Sequence, residues 1–61
     1  MKPKDLIKEL EKDGWFEVRQ KGSHKQFKHI NKKGTVTVPF HNKDLDPKTL
    51  NSILKQAGLK K

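Results

Sequence analysis

Gly22 separates two strand-like stretches and makes their antiparallel pairing the natural outcome, which constrains this chain more than any other feature of its sequence. Before it, Trp15 to Gln20 alternates with period two, Phe16 and Val18 on one face, Glu17 and Arg19 on the other. After it, a second strand is expected from Ser23 to about Ile30, with Lys21-Gly22 as the turn, since glycine tolerates the backbone of a tight connection. Trp15 shares the outer parity of the first strand. At a strand edge it can lap over a helix or stack on a base, and the structural role is preferred because large aromatics mostly supply core area in small domains.

The second strand contains a conflict. Phe27 and Ile30 have opposite parity and cannot both point inward. Phe27 is central and large, whereas Ile30 stands at the end, where a twist or bulge can re-aim it, so Phe27 is the expected core residue. That choice sends His24 outward with Gln26 and Lys28. The opposite choice would turn His24 toward the helices.

Asn31-Lys32-Lys33-Gly34 reads as the next hairpin loop, with Gly34 in the left-handed position. A third strand is expected over Thr35–His41, with Val36, Val38 and Phe40 inward. Pro39 has no N–H to give to a ladder, so this strand ends near it or lies at an edge.

Helical spacing brackets the three strands. Leu6, Ile7 and Leu10 form one apolar side of a helix over residues 3–13, which begins at Pro3 without a good cap and stops at Asp13-Gly14. Leu50, Ile53, Leu54 and Ala57 repeat at i, i+3, i+4 and i+7 in the second, clearer helix. Asp46 caps it, Pro47 starts it, Leu45 staples onto Leu50, and Gly58-Leu59 closes it in Schellman fashion. The expected architecture is α+β in the order α-β-β-β-α: a three-stranded antiparallel sheet with two helices on one face, the other face open and basic.

With 61 residues, one domain over residues 1–61 is expected. A chain of this size buries only about 60% of its unfolded surface, which disfavours deep enclosed pockets. Fifteen Lys+Arg against seven Asp+Glu leave a formal charge of +8, so the chain is expected to be drawn to polyanions. Nucleic acid is preferred over membrane, because the lysines are spread over every segment and no apolar run approaches the ~18 residues that span a bilayer. Cysteine is absent, which removes disulfides and thiolate metal sites. No secretory signal pattern occurs and a cytoplasmic location is expected. The Lys60-Lys61 tail is too short to form a basic arm.

The residues with chemistry gather at the first turn. RNA can be cut without metal when its own 2′-hydroxyl attacks the adjacent phosphate, provided a base takes the hydroxyl proton and an acid protonates the leaving 5′-oxygen. Histidine, with an ordinary pKa of about 6.5, suits either step. His24 is the candidate catalytic residue, and Lys21, Gly22, Ser23, Lys25 and Lys28 are the candidate RNA-binding residues around it. Lys21, Lys25, Lys28 and His41 compete for the second catalytic role, as charge stabiliser or acid. Ser23 suits a phosphate or backbone bond better than nucleophilic attack, because no Ser/His/acid constellation is visible.

The blander readings are specific too. An isolated exposed histidine is by itself most often a solvated side chain, and His29 and His41 are expected as surface or edge residues. A zinc site from His24, His29 and His41 lacks close ligand spacing and cysteine, so neither metal nor cofactor is expected. A rival function is a non-catalytic double-stranded-RNA-binding module that places this turn in a minor groove. Another is an interaction protein with an acidic partner, which explains the charge but not Gly22-Ser23-His24.

Several segments together resemble the HicA toxin family of type II toxin–antitoxin systems. They are Gly14-Trp15, Gly22-Ser23-His24 with Phe27, Thr37-Val38-Pro39 with His41, and Thr49-Leu50 followed by Ser52-Ile53-Leu54-Lys55-Gln56-Ala57-Gly58-Leu59. The resemblance spans nearly the whole chain and implies a double-stranded-RNA-binding-domain-like fold, ribosome-independent mRNA cleavage and neutralisation by a HicB-type antitoxin. It also assigns activity to the histidine of the Gly-Ser-His turn, His24 here. Lys48 stands where the family commonly has glycine, and Asn51 where it often has a basic residue.

Overall fold

A two-residue turn, Gly22-Ser23, joins the central hairpin in a computed structural model that describes residues 1–60. Of the Lys60-Lys61 tail, Lys61 lies outside the described residues. The elements are α1 (Pro3–Asp13), β1 (Trp15–Lys21), β2 (His24–His29), β3 (Val36–Pro39) and α2 (Pro47–Gln56), and the antiparallel sheet has the order β1-β2-β3. One core joins Leu6 and Leu10 of α1, Trp15, Phe27, Val36 and Val38 of the sheet, Leu45 before α2, and Ile53 and Ala57 at α2. Both helices therefore cover the same sheet face, and the opposite face is left open, as expected.

β1 departs from the expected alternation. Trp15 is 2% exposed, while Phe16 and Val18 are 49% and 46% exposed, so the inward parity is that of Trp15. The indole, next to Gly14 and opposite His29, fills the junction of α1 with the sheet, more apolar area than Phe16 or Val18 would bring there. The register then shifts between Glu17 and Arg19, leaving Val18 as the extra residue of a bulge. Glu17 stays opposite the buried Phe27, and Arg19 moves opposite Gln26, so two residues expected on one face lie on opposite faces.

The conflict in β2 resolves in favour of Phe27, which is fully buried, while Ile30 lies just past the strand and is 85% exposed. β3 is the short edge strand that Pro39 demands. Because the Phe40 N–H bonds the Ser23 carbonyl, alternation points the backbone position of Pro39 away from β2, where no ladder bond is lost. Phe40 was expected in the core but lies beyond the strand, 39% exposed, with the Lys25 ammonium 4.6 Å from its ring centroid.

His29 is the other correction. Its side chain is only 7% exposed. Nε2 donates to the Asp13 carbonyl (2.6 Å) and Nδ1 accepts from the backbone N–H groups of Asn31 (2.9 Å) and Lys32 (3.2 Å), which fixes the neutral Nε2–H tautomer. Its ring meets Trp15 edge-on at 5.2 Å. Gly14, with φ 106°, is required beside it, because a Cβ there would come within 2.7 Å of His29 Nε2.

The helix ends follow the sequence. Lys2 at the start of α1 gives no side-chain cap, whereas the Asp46 carboxylate accepts the Thr49 N–H (2.8 Å) and hydroxyl (3.0 Å). The Leu59 N–H bonds Leu54 O and the Gly58 N–H bonds Lys55 O, the paired bonds of a Schellman ending. Lys32 ties the two helix ends together: its ammonium binds the Asp13 carboxylate at 2.6 Å and donates to the Ala57 carbonyl at 3.0 Å.

Candidate functional site

Gly22 has φ 58° and Ser23 has negative φ, the sign pattern of a type II′ hairpin turn, which needs glycine at its first central position. The Gln20 side-chain amide donates to the Gly22 carbonyl at 3.0 Å and the Phe40 N–H bonds Ser23 O, so the turn is fixed from both flanks. His24 opens β2 with Lys21 opposite on β1 and Pro39 opposite on β3. Its ring is exposed.

Directly paired residues of an antiparallel sheet share a face. From the register, the open face therefore carries Phe16, Arg19 and Lys21 from β1, and His24, Gln26 and Lys28 from β2. The one carboxylate in the three strands, Glu17, lies on the covered face. The open face thus concentrates three cations and an imidazole with no acid among them. It attracts phosphate and offers an exposed proton-transfer group.

The expected RNA-binding residues are only partly brought together. Lys21, Gly22 and Ser23 adjoin His24, and Lys28 shares its face four residues along the strand, about 14 Å away at strand rise. Lys25 points to the other face, where its ammonium binds Glu17 at 3.0 Å and covers the Phe40 ring. His41 lies past β3, its Nδ1 accepting from the Lys43 N–H at 3.2 Å. Arg19 is the residue the sequence reading missed, since uninterrupted alternation gives no sign of the bulge that turns it to His24's face.

A shallow groove of about 370 Å³ runs between β3 and α2, lined by Thr35, Thr37, Lys48, Thr49, Ser52 and Gln56 and bounded by Pro39, the strand partner of His24. The start of α2 is already satisfied by Asp46, whose carboxyl is held below its ordinary value by the backbone and side-chain bonds from Thr49. Among the described residues, no three His, Cys, Asp or Glu side chains are grouped to share a metal ion, and no helix is long and apolar enough to cross a membrane.

The family model for the HicA toxin of bacterial toxin-antitoxin systems matches residues 3–59, from the first residue of α1 through the Schellman ending. The chain belongs to the HicA toxin family. A solved structure described as a toxin-antitoxin complex from Streptococcus pneumoniae contains a chain 33% identical to it, with a TM-score of 0.82 over 97% of this chain and 98% of that one. Comparison with curated proteins gives no match. The Gly22-Ser23-His24 turn of this HicA-family toxin lies within the matched region, as does every strand of its open face.

Proposed function

We propose that this toxin is a metal-independent, ribosome-independent endoribonuclease of mRNA, that His24 is its acid/base group, and that a HicB-type antitoxin neutralises it in the cytoplasm. The observation that carries the reading is the exposed imidazole beside a rigid two-residue turn on an acid-free, basic sheet face. Membership in a toxin family, and likeness to a chain from a toxin-antitoxin complex, support the toxin role and the antitoxin partner.

The chemistry uses the substrate's own hydroxyl. His24 takes the 2′-hydroxyl proton as the 2′-oxygen bonds to phosphorus, the P–O5′ bond breaks, and the 5′-oxygen leaves with a proton from the imidazolium or from water. Lys21, across the hairpin from His24, is the best situated cation for the charge that builds on the phosphorane oxygens. Gly22 and Ser23 let a ribose-phosphate approach the turn closely, and Lys28 holds phosphate farther along the face. Lys25, engaged with Glu17 on the covered face, contributes to RNA binding through long-range charge.

The test is incubation of wild type and His24→Ala with single-stranded RNA in EDTA. Cleavage by wild type alone supports the nuclease. Equal binding without cleavage by either protein identifies a non-catalytic RNA-binding module and overturns it.

A further inference from the structure

The geometry points to Phe16 as a base-stacking platform, so that the RNA held on the open face is single-stranded; the choice of RNA as polymer rests on the nuclease reading above. A single exposed apolar side chain is ordinary on a protein surface. Phe16 differs in its company. It is 49% exposed, its cross-strand partner is Lys28, Arg19 follows on the same strand face, and neither helix packs over it. An aromatic ring between cations on an open sheet combines the two elements that hold unpaired nucleic acid: a flat surface for a base and positive charge for the flanking phosphates. A base-paired duplex hides its base faces and offers the ring nothing to stack on.

Phe16 and His24 stand at opposite ends of the hairpin's open face, about 14 Å apart along β2 at strand rise. A strand lying across the sheet can place a base on Phe16 while a different phosphate reaches His24. The ring therefore acts as a positioning group, remote from the bond that breaks. Val18 and Ile30 are also exposed, which makes an apolar protein surface the competing occupant. Such a surface would desolvate Arg19 and Lys28 without returning charge, whereas RNA supplies phosphates for both.

The probe is a short oligonucleotide of 2′-O-methyl riboses with one 2-aminopurine, which cannot be cut, used single-stranded and annealed to its complement. Wild type should bind the single strand more tightly than the duplex and quench the 2-aminopurine. Phe16→Ala and the strand-favouring Phe16→Thr should each weaken single-strand binding at least about fivefold, and Phe16→Trp should retain it. Unchanged affinity in the Ala and Thr variants, a preference for the duplex, or a loss confined to antitoxin binding overturns the assignment. Phe16-dependent binding by a wild type that cuts no RNA overturns only the nuclease, and cleavage unaffected by Phe16→Ala overturns only the stacking.

Discussion

His24 and His29 occupy the two ends of one strand with opposite parity, and that difference decides their surroundings. His24 faces solvent on the open sheet, whereas His29 is sealed under Trp15 with both ring nitrogens bonded. His24→Ala should leave unfolding stability within about 0.5 kcal/mol of wild type, as for an exposed residue without structural bonds. His29→Leu should cost about 1–3 kcal/mol, because the Asp13 carbonyl and two loop N–H groups lose their partner. Urea unfolding of the two variants checks both. The orientation of His24 was legible once Phe27 was chosen for the core, and the same parity already puts His29 on the inner side. Its burial was not read because a polar ring is tolerated there only through Asp13 and the 31–32 backbone, contacts that leave no trace in local alternation.

Helices and turns whose signals are local form where the sequence places them. The Asp46-Pro47 start, the apolar spacing and the Gly58 ending of α2 are local chemistry, and each is found where expected. β1 forms where expected, but its facing differs, because a bulge and the Trp15 junction with α1 are tertiary facts that override the alternation of Phe16 and Val18. Asp46→Ala should lower the urea midpoint in the same unfolding measurement, since two bonds to Thr49 are lost. Acid should act through the helix ends. The hydrogen-bonded Lys32 ammonium holds the Asp13 carboxyl below its ordinary 3.8, against partial desolvation that pushes it up, and Asp46 is lowered as well. Folded-state values below the unfolded ones mean that the native state binds fewer protons, so the stabilisation is present above 3.8 and lost as the pH falls through the depressed values. The urea midpoint followed downward from neutral pH should fall in that acidic window, and Asp13→Asn should remove part of the fall while lowering stability at neutral pH.

The division of the sheet into a covered and an open face explains how so few residues provide both a core and an exposed basic surface. Length, charge and helical spacing made that division legible. The membership of the open face was only half legible, because Arg19 reaches it through the bulge and Lys25 leaves it for Glu17. If the open face holds RNA as proposed, one phosphate each on Arg19, Lys21 and Lys28 gives single-strand affinity a log–log salt slope of about −2, and Arg19→Ala should reduce the slope by about 0.7. Titrations of an uncleavable oligonucleotide across salt concentrations measure both. The most direct test of an exposed histidine cutting RNA with the substrate's own hydroxyl is the chemistry of the product ends after digestion in EDTA. The expected products carry 2′,3′-cyclic phosphate and 5′-hydroxyl ends and are absent with His24→Ala; 3′-hydroxyl and 5′-phosphate ends, or the same products from the variant, would contradict it.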